Sequence, residues 1–159
     1  MKSIGHGIVI DASPSTVWYV LMDWPRFAEW NPFITDLGGE PRLGSQLSVQ
    51  INPPGGKPMR FHPTLTALEP ESRLQWLGRA GPPGIFDGRH TFSLIALPDG
   101  RTWFEQDETF TGLLTWFTGA LLNRSKRGFK QMNQAIAERC QEAPRSRPGP
   151  GKSGHNRTS

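Results

Sequence analysis

Two residues that could carry acid–base chemistry, His90 and Glu108, and an amide that could orient them, Gln106, lie on two segments with the alternation of β-strands. An imidazole beside a carboxyl group can accept, hold and return a proton, and an amide can orient the imidazole. The two segments are joined by Pro-Asp-Gly at 98–100, which suits a three-residue hairpin loop with glycine in the left-handed conformation. This turn predicts that His90 faces Glu108 across the hairpin, with Gln106 beside them.

The face that carries these three residues is also the apolar face of the predicted hairpin, because Phe92 and Phe104 share it. We therefore expect all three polar groups to point inward. Two interpretations remain open: the groups satisfy one another in a packed core, or they line a cavity that holds a ligand. An unpaired carboxylate in a tight core would be costly, which favours the cavity.

The elements that must position this hairpin begin with a strand at 4–10 and two short helices. Ser13 and Pro14 are residue types that cap and begin a helix, and Pro25 interrupts it before a second short turn at 26–30. Period-two segments separated by Gly and Pro clusters then predict six strands. They are expected at 33–37, 46–51, 59–68, 74–78, 86–97 and 102–110.

A long helix is predicted from 113 to 140, with an apolar stripe at helical spacing. Strands in one run with helices at either end indicate an α+β fold. A sheet of about seven antiparallel strands curls, and a helix laid across its concave face leaves space between them. Such space would be the cavity that the polar residues line.

Composition and charge limit the class of protein to which the chain can belong. A chain of 159 residues suggests one domain, at 1–140, and the single Cys140 permits no intramolecular disulfide. Residues 141–159 are rich in Pro, Gly and Ser and carry four cations against one carboxylate, which predicts a disordered basic tail. There is neither a signal-peptide pattern nor a 20-residue apolar run, so we expect a cytoplasmic protein without a membrane span.

Several kinds of site are not expected from the spacing of residues. No pair of histidines or cysteines has zinc-ligand spacing, and no Gly-rich stretch has the context of a phosphate-binding loop. A serine-nucleophile motif is also absent. We therefore expect no metal, no cofactor and no specific nucleic-acid partner, and the oligomeric state stays open between monomer and homodimer.

The chain resembles the START-like (Bet v 1-like, SRPBCC) helix-grip superfamily, and more narrowly its polyketide cyclase/dehydrase and lipid-transport group. The likeness rests on ASPSTVW and EWNPF near the start, Leu74-x-Trp76-x-Gly78, PPGIFDGRHTF, ETFTGLL and GFKQMNQAI. It implies a curved seven-stranded antiparallel sheet around a long C-terminal helix, with two short helices after strand 1. It also implies an internal cavity for a hydrophobic ligand; the superfamily carries lipids and sterols, cyclises polyketides, binds quinones and assists as chaperones.

Bulky side chains at inward positions are expected to line this cavity together with His90, Gln106 and Glu108. They are Trp30, Phe33, Phe61, Trp76, Phe86, Phe92, Phe104, Phe117, Phe129 and Met132.

Binding or transport of a small hydrophobic molecule is the function that these residues favour, because the polar inventory is small. One alternative is a cyclase or dehydratase that acts on a polyketide-like substrate, with His90 as base and Glu108 orienting it. The other is a protein-interaction or chaperone-like module, which would use the outward Ile95, Leu97 and Trp103.

Overall fold

The structure is a computed structural model that describes residues 1–143. The side chain of Phe117 is outside the described set, so its predicted place in the cavity stays a prediction. The C-terminal helix continues to Glu142, two residues past the predicted domain boundary. The rest of the predicted tail lies outside the described residues.

Eight strands and three α-helices make an α+β fold, as the sequence predicts. The strands are β1 (Lys2–Ile10), β2 (Ile34–Gly38), β3 (Ser48–Ile51), β4 (Met59–Phe61), β5 (Thr64–Glu69), β6 (Arg73–Arg79), β7 (Asp87–Ala96) and β8 (Thr102–Thr111). The helices are α1 (Pro14–Met22), α2 (Phe27–Trp30) and α3 (Gly119–Glu142). Short 3-10 turns at Trp24–Arg26 and Leu113–Phe117 precede α2 and α3.

The strands form two antiparallel groups rather than the one seven-stranded sheet expected. One group has five strands in the order β1-β8-β7-β6-β5, and the other has three in the order β2-β3-β4. The predicted strand at 59–68 is two strands, because Pro63 has no N–H to donate to a ladder. Backbone bonds from Leu47 N to Pro63 O at 2.8 Å and from Leu65 N to Ser45 O at 2.9 Å continue the pairing across the break.

Helix α1 begins where a side chain satisfies one of its free N–H groups. The Oγ of Ser13 accepts from Thr16 N at 3.3 Å and Pro14 is the first residue of α1, so the predicted cap is confirmed. The long helix was predicted from Leu113, but the chain first makes a 3-10 turn and α3 begins at Gly119.

The apolar stripe of α3 packs on β1, α1 and the inner face of the sheet. Phe129, Met132 and Ile136 have no accessible surface. Phe129 meets Phe33 edge to face, with ring centroids 5.5 Å apart. Gly128 makes this approach possible, because a Cβ at that position would overlap the Phe33 ring.

We expect Gly128→Ala to destabilise the protein, although alanine is the better helix former. Overpacking against Phe33 costs about 1 to 3 kcal/mol, which exceeds the gain of about 1 kcal/mol from helix propensity. Gly119→Ala is the matched control, since nothing lies within 4 Å of a Cβ there. Chemical denaturation should show a lower unfolding free energy for Gly128→Ala alone; equal stability of the two variants would contradict the packing.

Candidate functional site

The β7–β8 hairpin has the register that its turn predicts. His90 pairs with Glu108, and Phe92 pairs with Gln106. Gly100 has φ 85°, and its N–H donates to Leu97 O at 3.0 Å. The three predicted polar residues therefore share the inner face, as expected.

A cavity of about 80 Å³ lies between the inner face of the sheet and the first turns of α3. It occupies the end of the sheet where β6 joins β7 and where β8 leads to α3. Its wall is apolar apart from a few groups. The lining residues are Phe33, Ile34, Val49, Ile51, Phe61, Pro63, Trp76, Gly78, Arg79, Ala80, Phe86, Gly88, His90, Glu108, Phe110, Leu121 and Ser125.

Two glycines that face each other across neighbouring strands contribute to this space. Gly78 on β6 pairs with Gly88 on β7, and both line the cavity. A Cβ at Gly78 would meet no heavy atom closer than 3.8 Å, so that position borders open space. A Cβ at Gly88 would lie 3.0 Å from Oε1 of Glu108, so glycine there leaves room for the carboxyl group.

Six of the sequence-predicted site residues line this cavity together. They are Phe33, Phe61, Trp76, Phe86, His90 and Glu108. The other described ones lie outside its wall. Phe92, Phe104, Gln106, Phe129 and Met132 are fully buried in the core, and Trp30 lies half-buried beside Phe27 at 5.2 Å between ring centroids. That this second set of residues contacts a ligand stays a prediction, since none of them lies on the cavity wall.

Alternation predicts that Phe110, two positions after Glu108, shares its inward face, and Phe110 lines the cavity. Sequence reasoning missed several other lining residues, although part of the signal was present. Val49 and Ile51 alternate in the same way on β3. Ser125 is a small residue in the apolar stripe of α3, facing the space that the two glycines leave. The glycine pair required the β6–β7 register, which the sequence does not give.

A chain of buried hydrogen bonds leads from the edge strand β1 to the cavity. Asn133 on α3 donates from Nδ2 to the carbonyl oxygen of His6 at 2.8 Å, and Nδ2 lies 3.0 Å from Nδ1 of His6. Gln106 donates from Nε2 to Oδ1 of Asn133 at 2.6 Å. Nε2 of His90 lies 3.1 Å from Oε1 of Gln106. Asn133 and His6 were not predicted as members of the site.

The donor and acceptor roles along this chain follow from its first atom. A carbonyl oxygen can only accept, so the Nδ2 amide group of Asn133 must face His6 and its Oδ1 must face Gln106. Gln106 then presents Oε1 to His90, and His90 must donate from Nε2. The neutral imidazole therefore carries its proton on Nε2 and has a free lone pair on Nδ1.

That lone pair faces Glu108, whose Oε2 lies 3.8 Å from Nδ1 of His90. The Glu108 side chain keeps 19% of its surface accessible. Within the described chain it makes no side-chain hydrogen bond. A carboxyl oxygen with free capacity therefore borders the cavity.

Burial keeps both groups neutral around pH 7. Desolvation lowers the pKa of His90 to about 4, against a smaller opposite effect of its bond to Gln106. The imidazole has Trp76, Phe92 and Phe129 around it, with ring centroids 4.5 to 5.3 Å away. Desolvation also raises the pKa of Glu108 to about 8, with a contribution from the charge of Asp107. The pair thus offers a protonated carboxyl group as donor and an imidazole as acceptor.

Two kinds of feature are absent from the described part of the chain, residues 1–143. No group of three His, Cys, Asp or Glu side chains in that range is arranged to hold a metal ion. None of the helices described there has the length and apolar character needed to cross a membrane.

The outward residues proposed for protein interaction do not form a broad exposed surface. Ile95 is 56% exposed. Trp103 lies partly buried over Gly7, where a Cβ would overlap the indole ring, and Leu97 is half-buried.

Comparison with known proteins places the chain in a family and a fold. The family model described as polyketide cyclase / dehydrase and lipid transport matches residues 1–141. No curated protein matches the sequence.

Solved structures share the fold at low sequence identity. The Zhui aromatase/cyclase from a Streptomyces species is 15% identical with a TM-score of 0.72, covering 89% of this chain and 94% of that one. A START superfamily protein from Mycobacterium smegmatis is 16% identical with a TM-score of 0.70, covering 88% and 97%. A protein from Mesorhizobium loti is 17% identical with a TM-score of 0.70, covering 90% and 99%. The likeness establishes a helix-grip fold.

The raised pKa of Glu108 predicts a loss of stability as pH rises. The unfolded chain releases this proton near pH 4.5 and the folded chain near pH 8, so the folded state becomes less stable between those values. From pH 5 to pH 9, wild type should lose about 4 kcal/mol more than Glu108→Gln, which cannot titrate. Urea denaturation at both pH values measures this difference.

Glu105→Gln, on the outer face of the same strand, is the matched control and should behave as wild type. The unfolded chain binds a proton at His90 at the low end of this window, because burial lowers the pKa of His90 from 6.5 to about 4 on folding. His90 is present in every variant, so its contribution cancels. Equal losses for wild type and Glu108→Gln would show that Glu108 is ionised in the folded protein.

Proposed function

The chain belongs to the polyketide cyclase/dehydrase and lipid transport family, and from that premise we propose that it binds a small, uncharged hydrophobic molecule in the cavity. The observation that carries the proposal is an apolar wall with one carboxyl group whose hydrogen-bonding capacity is free within the described chain. A ligand hydroxyl or carbonyl oxygen next to Glu108 would use that capacity, while rings or methylenes contact Trp76 and Phe86.

The charges around the cavity favour a neutral ligand. Glu108 and His90 are both neutral around pH 7, because burial shifts their pKa values to about 8 and about 4. The guanidinium of Arg79 lies 3.6 Å from the Asp87 carboxylate, so that cation has a partner. A carboxylate ligand would give up its hydration without gaining a free counter-charge.

The cavity must widen to accept a ligand of ordinary size. Its volume of about 80 Å³ is below the ~300–1,000 Å³ of small-molecule pockets. Phe61, Phe86 and Leu121 line it and are half-buried, unlike the fully buried core rings behind His90. We expect these three side chains to move when a ligand enters.

Filling the cavity should abolish binding without unfolding the protein. Gly78→Val places two methyl groups in space that has no atom within 3.8 Å of the new Cβ. Valine also suits a strand better than glycine does. The probe is 2-naphthol, a fluorescent aromatic ring with one hydroxyl group; its affinity should fall at least about tenfold, corresponding to 1.4 kcal/mol.

Gly38→Val is the matched control, because a Cβ there also meets nothing within 4 Å and Gly38 ends strand β2 away from the cavity wall. Native mass spectrometry of freshly purified wild type should in addition show a copurified apolar molecule. Equal naphthol binding by the two valine variants, or no binding by wild type, would refute the proposal.

A second candidate function, dehydration of a β-hydroxyketone, is favoured by the fixed tautomer of His90. A carboxyl group with a pKa of about 8 can give its proton to a leaving hydroxyl group, which departs as water. Nδ1 of His90 can take the proton from the carbon next to the carbonyl. Transfer of that proton from His90 to the Glu108 carboxylate, across the 3.8 Å that separates them, restores the pair.

The dehydratase hypothesis predicts a separation of binding from turnover. With 4-hydroxy-4-phenyl-2-butanone as substrate, formation of the conjugated enone can be followed by absorbance. Glu108→Gln should lower kcat by about 100-fold or more with KM nearly unchanged, since one proton donor is lost. Absence of turnover by wild type would leave binding as the function, and equal rates for both proteins would exclude Glu108 as the acid.

A further inference from the structure

Three large apolar side chains project into solvent from the 3-10 turn between β8 and α3. Leu113 is 73% exposed, Leu114 47% and Trp116 82%. We call these three residues the apolar tip. Its backbone is held in place, because Leu113 N donates to Gly84 O at 3.2 Å and Leu114 N donates to Ile85 O at 3.1 Å. The turn that exposes these side chains is therefore fixed by backbone hydrogen bonds.

The apolar tip adjoins the rim of the cavity. The chain leaves the cavity wall at Phe110 just before the tip and returns to it at Leu121 just after. The backbone oxygens that hold the tip belong to the segment that leads into Phe86, another lining residue. A surface that covers the tip would thus lie next to the side chains that must move for ligand entry.

A basic residue lies beside the tip, and the helix that follows the tip is basic in its first half. Nζ of Lys2 lies 5.9 Å from the Trp116 ring centroid. The first half of α3, residues 119–130, carries Arg124, Lys126, Arg127 and Lys130, all exposed, and no acidic residue. An acidic residue in the first turn would favour the helix dipole, and none is present. This charge distribution does not stabilise the helix through its dipole, and it would attract an anionic surface.

We propose that the apolar tip and the basic first half of α3 dock the protein on a lipid bilayer that contains anionic lipids. Trp and Leu side chains beside Lys and Arg match the interface of such a bilayer, where the rings enter the headgroup region and the cations meet lipid phosphates. The role of docking, passage of the ligand between cavity and bilayer, rests on the function proposed above; the docking itself does not.

Vesicle flotation tests this proposal directly. Full-length protein is mixed with vesicles of phosphatidylcholine alone or with about one-third phosphatidylglycerol. We expect binding to the anionic vesicles that weakens as salt rises. Trp116→Ser should lower the affinity at least about tenfold, and Arg124→Gln with Lys126→Gln should lower it about 25-fold, at about fivefold for each basic residue. Arg127 is kept, because it donates to Pro54 O.

Matched controls distinguish an effect of the docking residues from an effect of surface hydrophobicity or net charge in general. Ile95→Ser removes an exposed apolar residue at the other end of β7. Arg42→Gln with Arg73→Gln removes the same net charge from exposed ion pairs elsewhere. Both should float as wild type does.

Four results would overturn the proposal. They are no flotation of wild type, equal flotation on neutral and anionic vesicles, equal losses for tip and control variants, and a stable dimer or an acidic protein partner that covers Trp116 and excludes vesicles. Naphthol binding in the absence of vesicles distinguishes this failure from failure of the cavity function. Trp116→Ser should retain it, whereas Gly78→Val should lose it and still float.

Discussion

The carbonyl oxygen of His6 determines the orientation of the polar groups between the edge strand and the cavity. Because it can only accept, Asn133 and Gln106 each have one permitted amide orientation, and His90 must donate from Nε2. Rotating one amide would leave buried donors facing donors, at a cost of several kcal/mol. The side of His90 that faces Glu108 is thereby fixed as an acceptor by groups that do not touch the cavity.

This constraint explains how two ionisable residues can line an apolar cavity. His90 carries one proton, on Nε2, and aromatic rings surround it. This burial lowers its pKa to about 4, so the imidazole stays neutral at any higher pH. Glu108 loses its proton only near pH 8, since burial disfavours the carboxylate. A protonated carboxyl group beside an imidazole lone pair can donate and accept without a buried net charge, which suits both a ligand anchor and a proton-transfer pair.

Sequence reasoning predicted the fold class and the β7–β8 register because each has a local cause. The three-residue turn fixes the pairing of His90 with Glu108, and alternation then gives the inner face. Sequence reasoning could not tell residues that line the cavity from residues that fill the core. Phe92 and Phe86 follow the same alternation and differ only in what covers them. Phe92, Phe129 and Met132 are all fully buried, whereas Phe86 is half-buried at the cavity, and only tertiary placement reveals this difference. Asn133 was missed because a polar residue in a helix normally indicates an exposed position.

Small residues at one end of the sheet decide what the cavity can hold. Gly78, Gly88 and Ser125 stand where larger side chains would fill the interior, while the other end is occupied by Phe92, Phe104 and Phe129. The size of the cavity is therefore set by a few residues on its wall, and the tautomer of His90 is set by the hydrogen-bonded chain that begins at His6. Only Gly88 links the two sets, because a Cβ there would lie 3.0 Å from Oε1 of Glu108. A change at Gly78 or Ser125 therefore alters the size of the cavity without disturbing the proton arrangement.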